Sequence, residues 1–121
     1  MLTVFLHEGA LEFRRGEDIL LSVQPQPKEQ AMVLKLTGEI VSDTVYSLQD
    51  ELESYLSLGI RVELDFAQVT FLSTAGQEML LNVQQFSEDI GRGELRLVRV
   101  PDAIYNELDS LNITEHLLID D

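Results

Sequence analysis

Two adjacent hydroxyl side chains, Ser73 and Thr74, are the groups in this sequence best placed to form a functional site. They open a short turn that continues with Ala75 and Gly76, and residues this small let the backbone bend sharply. Such a turn leaves the first N–H groups of a following helix open to an anion or to a partner. A helix N-terminus favours a negative charge by roughly 0.3–1 kcal/mol when it is exposed.

The flanking residues predict a strand before this turn and a helix after it. Residues 61–66 alternate between polar and apolar side chains, which is the pattern of a strand with one buried face. After the turn, apolar residues recur at helical spacing and form one stripe, namely Met79, Val83, Phe86 and Ile90. A strand therefore leads directly into a helix through the turn, and any functional site of the chain is expected here.

Three strand-and-helix units are predicted from Met32 onward. The first helix is expected to have Ser42 or Asp43 as its N-cap. The last helix is expected to begin with Pro101 and to bury Leu111 in its apolar stripe. Alternation of strands and helices favours a largely parallel sheet with right-handed crossovers. Because the strands alternate instead of being apolar throughout, the helices are expected mainly on one face of the sheet.

The first 18 residues predict an additional β-hairpin, since Leu2, Val4 and Leu6 alternate before a turn and Leu11 and Phe13 alternate after it. An isolated hairpin is marginal in water. Its apolar face must therefore bury either beside the strand at residues 19–23 or on a second copy of the chain, as a homodimer.

The segment from Gln24 to Gln30 contains two prolines and is predicted to be a polar connection between strands. The expected tail, from Asn112 to the end of the chain, tucks Leu117, Leu118 and Ile119 against the core. The sequence as a whole therefore predicts an α/β domain at residues 19–121, with a mixed sheet of four to five strands, preceded by a β extension at residues 1–18.

Composition limits the classes of function. The chain of 121 residues is long enough for one domain, and its 22 acidic and 8 basic residues give a net charge of −14. A chain this acidic is repelled by nucleic acid and by anionic lipid, so neither is expected as a partner. No apolar run approaches the roughly 20 residues that span a membrane, and there is no cysteine. We expect a cytoplasmic protein without direct membrane insertion.

No group of residues has the spacing typical of catalysis, metal binding or cofactor binding. The two histidines, His7 and His116, lie near opposite ends of the chain, without a nucleophile or an acid at triad-like spacing. Acid pairs such as Glu51 and Glu53 fit solvated faces better than general acid–base pairs or metal sites. The segment Gly91–Gly93 follows a helix and lacks a third glycine, so it indicates a turn. We expect a protein that is not an enzyme.

Three segments in register with the predicted elements resemble the STAS domain, a family named after sulfate transporters and anti-sigma-factor antagonists. The segments are LKLTGEI at residues 34–40, VELDF at residues 62–66 and VTFLSTAG at residues 69–76. The resemblance covers roughly residues 19–118 and implies a STAS-like fold. The first 18 residues have no counterpart in the family.

The resemblance implies a regulatory, protein-binding function. In anti-sigma-factor antagonists the turn reads Asp-Ser-x-Gly, and its serine is phosphorylated by a partner serine kinase that is also the anti-sigma factor. By register, Thr74 occupies the phosphoacceptor position, and Ser73 is the less favoured candidate. A phosphate there would add about −1.5 to −2 charges at the helix N-terminus. The residues expected to bind the partner are Ser73, Thr74, Ala75, Gly76, Gln77 and Asp43.

Two departures from the family pattern keep alternatives open. Ser73 stands where the family has an acid, and Val41 stands where the family often has another. The structural alternative makes Ser73 only the N-cap, Thr74 a first-turn residue and Gly76 a close-packing site. The functional alternative is an accessory subunit of a membrane transport complex, which binds a transporter subunit constitutively.

Overall fold

A seven-stranded sheet is the framework of the protein in a computed structural model that describes residues 2–120. The strands lie side by side in the order in which they occur along the chain. They are β1 (Leu2–His7), β2 (Ala10–Arg15), β3 (Asp18–Lys28), β4 (Ala31–Ile40), β5 (Arg61–Leu72), β6 (Glu94–Val98) and β7 (Ile119–Asp120). The first four strands pair antiparallel and the last four pair parallel, so β4 belongs to both halves.

Three α-helices connect or follow the parallel strands: α1 (Ser42–Ser57), α2 (Thr74–Ile90) and α3 (Asp102–Ser110). A short 3-10 helix at Ile113–His116 leads into β7. Each crossover moves one strand further in the same direction, and right-handed crossovers therefore place α1 and α2 on the same face. The two helices pack against each other, α1 against β4 and β5 and α2 against β6. The predicted α/β class is confirmed.

The core lies between these helices and one face of the sheet. Leu34, Leu64 and Leu97 occupy matching register positions on β4, β5 and β6, and all three are fully buried. A fully buried leucine contributes about 1.5–3 kcal/mol through the hydrophobic effect. On the opposite face, Lys35 is exposed and Arg96 is half-buried, which explains the alternating pattern of the sequence.

The N-terminal hairpin is part of the same sheet, because β2 pairs antiparallel with β3 and places Phe13 beside Leu21. Phe13 is only 1% exposed, so β2 buries its apolar side within the domain. The hairpin and the short β7 raise the number of strands to seven, where the sequence predicted four to five in the main sheet. Strand β1 remains at the outer edge.

The predicted proline-broken connection at residues 24–30 is wrong, because β3 continues through Pro25 and Pro27 to Lys28. These prolines pair with Leu34 and Met32 of β4, whereas pairing with β2 ends at Val23. Two prolines spaced two residues apart point their ring nitrogens to the same side. Beyond Val23 the edge of β3 next to β2 is vacant, and a strand tolerates proline where the ring nitrogen faces such an edge.

The predicted helix ends are displaced by short distances. The N-cap of α1 is Val41, not Ser42 or Asp43; its N–H donates to Oγ1 of the buried Thr44 at 3.1 Å, and Thr44 Oγ1 donates to the Val41 carbonyl at 3.0 Å. Pro101 is likewise the N-cap of α3 and not its first residue.

Three predicted core residues are exposed at least in part. Leu111, at 58% exposure, lies beyond the end of α3, and in the tail Leu117 is buried while Leu118 is 37% exposed. Ile90, the last residue of α2, is 36% exposed.

Candidate functional site

The two hydroxyls of the turn between β5 and α2 lie in different environments. Ser73 is the N-cap of α2, and its Oγ accepts a hydrogen bond from the N–H of Gly76 at 3.1 Å. Thr74 is the first residue of the helix and is exposed. No group in the described part of the chain hydrogen-bonds to its hydroxyl. Thr74 therefore presents a free hydroxyl, whereas Ser73 uses its own to begin the helix.

Gly76 allows the turn to pack tightly against the end of β4. A Cβ at this position would lie 2.6 Å from Leu72 Cδ1 and 2.9 Å from Ile40 Cγ2. The N–H of Ser73 donates to the Ile40 carbonyl at 2.9 Å, which fixes the start of α2 beside the segment that leads into α1. The N-termini of both helices consequently lie at the carboxyl end of the parallel strands.

The first turn of α1 adds a charged and an aromatic side chain to this region. Asp43 forms an ion pair with Arg15 at the end of β2, so the N-terminal hairpin contacts the region directly. Tyr46 is 79% exposed, an unusual fraction for a large aromatic side chain. We call the surface formed by Asp43, Tyr46, Ser73, Thr74 and Ala75 the carboxyl edge. Tyr46 has no periodic signal in the sequence, because it lies off the apolar stripe of α1.

A shallow groove of about 110 Å³ runs between α1 and α2 on this surface. Its lining consists of Val45, Tyr46, Gln49, Ala75, Glu78, Met79 and Asn82. Pockets for small molecules usually enclose about 300–1,000 Å³, so the groove is too small for such a ligand. The exposed ring of Tyr46 at its rim and the mixture of polar and apolar side chains in its lining suit a contact with another protein.

The other predicted partner-binding residues lie deeper. Gly76 and Gln77 are buried beneath the turn, and Gln77 is only 2% exposed. The Gln77 amide donates to Glu107 Oε1 at 3.0 Å and so joins α2 to α3. Ser73, Thr74, Ala75 and Asp43 remain at least partly accessible.

An ion pair between the buried Asp65 and the exposed Arg99 lies near the carboxyl end of β6. Asp65 is 5% exposed, although it shares a face of the sheet with its exposed register partner Lys35 on β4. Its carboxylate accepts from the Arg99 guanidinium, with Nε at 3.1 Å from Oδ1, and from the N–H of Ala67 at 3.0 Å. Burial raises the pKa of Asp65, but the hydrogen bonds from Arg99 and Ala67 outweigh it, and the pKa lies below its usual value.

Within residues 2–120 no three histidine, aspartate or glutamate side chains are grouped so that they could hold a metal ion. None of the helices in that range has the length and apolar character needed to cross a membrane. The carboxyl edge presents the exposed hydroxyl of Thr74 and the exposed phenol of Tyr46.

The sequence belongs to the STAS domain family. The family described as "Mlab, STAS domain" matches residues 23–120, from the middle of β3 to the end of β7. A search of curated protein sequences finds no significant match to the chain. Residues 1–22, which contain β1, β2 and the start of β3, lie outside the family match.

Solved structures of anti-sigma factor antagonists share the fold. The unphosphorylated form of the antagonist SpoIIAA matches with a TM-score of 0.64 and 14% identity, over 82% of this chain and 87% of that one. A putative anti-sigma factor antagonist from Thermotoga maritima matches with a TM-score of 0.68 and 14% identity, over 82% and 86% of the two chains. At this identity the likeness concerns the fold alone.

A transporter also contains this fold. The murine Solute Carrier 26 family member A9, an anion transporter, matches with a TM-score of 0.62 and 15% identity. The match covers 95% of this chain but 20% of the transporter. A match of that extent leaves only about six of the 121 residues uncovered, so it reaches into the N-terminal hairpin.

Proposed function

We propose that this chain is a non-catalytic regulatory domain that binds one protein partner through the carboxyl edge, with Thr74 as the residue that controls binding. The observation that carries the proposal is the free, exposed hydroxyl of Thr74 beside the exposed ring of Tyr46. Tyrosine is one of the residue types that dominate the energetics of protein interfaces.

The environment of Thr74 can accommodate a phosphate group. The first turn of α2 contains no acidic residue, so the partial positive charge of the helix N-terminus is not neutralised locally. A phosphate on Thr74 would therefore be tolerated by the helix. A docking partner, however, would have to desolvate about −1.5 to −2 charges, and binding would weaken while the fold stayed intact.

Ser73 is the weaker phosphoacceptor candidate for a structural reason. Its Oγ already caps α2, since it accepts from the N–H of Gly76 at 3.1 Å, and the residue is half-buried. Thr74 is exposed at the first position of the helix. A kinase would therefore reach the hydroxyl of Thr74 more readily than that of Ser73.

A second candidate function is that of an accessory subunit in a membrane transport complex, bound constitutively to its partner. Two observations favour it. The acids that accompany the phosphoacceptor turn in antagonists are replaced by Ser73 and Val41. The transporter match also reaches into the N-terminal hairpin and exceeds the 82% of this chain that the two antagonist structures cover. In such a complex the Thr74 hydroxyl makes a permanent contact.

Affinity purification of the wild-type chain from native cell extract, with mass spectrometry of the bound proteins and of Thr74 itself, tests the two candidates. A serine kinase among the bound proteins, with modification mapped to Thr74, supports the regulatory switch. Transporter subunits bound to an unmodified chain support the accessory function. Modification at Ser73 alone contradicts the assignment of Thr74. The variant Tyr46→Ala tests the binding surface in the same experiment. If this variant retains the partner at full yield, docking at the carboxyl edge is contradicted.

A further inference from the structure

Strand β1 forms an unprotected edge of the sheet. It pairs with β2 in an unbroken antiparallel register from Leu2 to His7, and its other side pairs with no strand among residues 2–120. Natural sheets protect such edges with charges, prolines, bulges or very short strands. At the opposite edge β7 pairs over only two residues. Strand β1 has six residues and contains no proline, lysine, arginine or acidic residue.

Strand β1 has exposed apolar side chains on both faces. Val4 lies opposite Phe13 and Leu6 opposite Leu11, so both continue rows of side chains that are buried further into the sheet. No helix covers them, and Val4 is 46% and Leu6 75% exposed. On the other face Phe5 is 47% exposed beneath the Arg14 guanidinium, whose carbon lies 5.2 Å from the ring centroid.

The charge distribution favours a second copy of this chain as the occupant of the edge. Residues 1–16 contain Glu8 and Glu12, which are balanced by Arg14 and Arg15. The net charge of −14 therefore belongs entirely to residues 17–121. Two copies that meet at β1 bring their neutral hairpins together and keep their acidic parts on the far sides, where screening over a Debye length of about 8 Å reduces repulsion.

We propose that two copies of the chain pair through β1, antiparallel, and form one continuous sheet across a two-fold axis. Such an axis stands normal to the sheet, so each residue meets a residue of the same face. An axis beside Val4 places Leu2 of one copy opposite Leu6 of the other. The interface is closed and uses the same surface on both copies, which limits assembly to a dimer. The carboxyl edge is a separate surface, and the dimer does not depend on the proposed function.

Light scattering of the full-length chain tests this proposal with two matched variants. Leu6→Lys places a charge on the edge, and Leu58→Lys places the same charge at a residue that is also 75% exposed but lies between α1 and β5. Wild type and Leu58→Lys are expected to have twice the chain mass of 13.7 kDa, and Leu6→Lys to have that mass once. A monomeric wild type, or a dimeric Leu6→Lys, overturns the proposal.

Single cysteines then locate the axis, because the wild-type chain contains none. Opposed residues of an antiparallel pair have Cα atoms about 4.5–5.5 Å apart, within the range of about 4.4–6.8 Å that a disulfide spans. We expect Val4→Cys or Phe5→Cys to form a cross-linked dimer on mild oxidation, and Leu58→Cys to remain uncross-linked. If neither β1 variant cross-links, edge pairing through β1 is contradicted.

Discussion

The two ends of the parallel strands differ in what they offer to a partner. The amino-terminal end has the larger concavity, about 790 Å³, lined by residues that include Met32, Ile60 and Arg61. Its cations are already paired, since Arg61 lies 3.1 Å and Lys28 3.8 Å from Glu63. The carboxyl edge has only a shallow groove, but the hydroxyl of Thr74 and the ring of Tyr46 are exposed there.

Under the proposed function, cavity size alone does not identify the functional end of this domain. When the charged groups of a concavity pair with one another, few groups remain that could bind a ligand selectively. An exposed aromatic ring beside a free hydroxyl has more to gain from an incoming protein, because both groups lose contact with water when they bind.

Glycine substitutions at the two ends provide the largest expected effects. Gly93 precedes β6 with a φ of +74°, and a Cβ there would lie 2.9 Å from the Leu56 carbonyl oxygen. Gly93→Ala is expected to lower the free energy of unfolding by about 2–4 kcal/mol, from strain and overpacking together. Gly76→Ala is expected to cost about 1–3 kcal/mol, because its two nearest neighbours are side-chain atoms and its backbone needs no positive φ. Urea denaturation of both variants measures the difference.

Gly59→Ala is the control for this pair, since Gly59 has a φ of +80° but no neighbouring atom within 4 Å of the place that a Cβ would occupy. It isolates the cost of the left-handed backbone, about 1–2 kcal/mol. A Gly59→Ala variant as unstable as Gly93→Ala would show that close packing at Gly93 contributes nothing.

The next largest effect is expected on the affinity for the partner, which substitutions at the two ends of the strands should change differently. Tyr46→Ala removes an exposed ring from the carboxyl edge and is expected to weaken binding by about 2 kcal/mol, or about 30-fold in Kd. Leu58→Ala removes a side chain of similar exposure near the other end and should leave Kd unchanged. Both variants should stay within about 0.5 kcal/mol of wild-type stability. Calorimetric titration with the purified partner tests this, and equal loss in both variants contradicts the assignment.

Lowering the pH should remove the contribution of Asp65 to the free energy of unfolding. Its pKa is lowered in the folded protein, so its stabilisation is fully present above the unfolded pKa of about 3.9 and is lost as pH falls through the lower folded value. Wild type should therefore lose stability below about pH 4 more steeply than Asp65→Asn, which starts from a lower stability. Urea midpoints across this pH range measure the slopes. The exposed Asp50→Asn is the control and should follow wild type; parallel slopes for Asp65→Asn and wild type are the contradicting result.

Local periodicity predicted most of the fold because each signal lies within one element. The alternation at residues 61–66 and the stripe from Met79 to Val83 correspond to β5 and α2. The two prolines of β3 led to the wrong prediction of a connection. Whether a strand tolerates proline depends on its neighbours, here on where β2 ends, and this is a property of the whole sheet. Thr44 was likewise not predicted as the capping group of α1, because its two hydrogen bonds with the backbone of Val41 are evident only in the folded structure.

The candidate site was predictable in position but not in composition. The small residues at Ser73–Gly76 marked the turn, because only a close backbone approach needs a glycine there. Tyr46 had no such signal, since a single aromatic off the apolar stripe becomes informative only when its exposure is known. The burial of Asp65 was not predictable, because its partner Arg99 is distant in sequence.

The affinity of the partner for Thr74→Glu, measured beside Thr74→Ala, tests the proposed function most directly. Glutamate places charge and bulk at the docking surface, whereas alanine removes only the hydroxyl. We predict a Kd raised about tenfold or more, at least 1.4 kcal/mol, for Thr74→Glu, and a Kd near wild type for Thr74→Ala. Equal weakening in both variants, with folding intact, would indicate a permanent contact through the hydroxyl. A wild-type Kd for Thr74→Glu would contradict docking at the carboxyl edge.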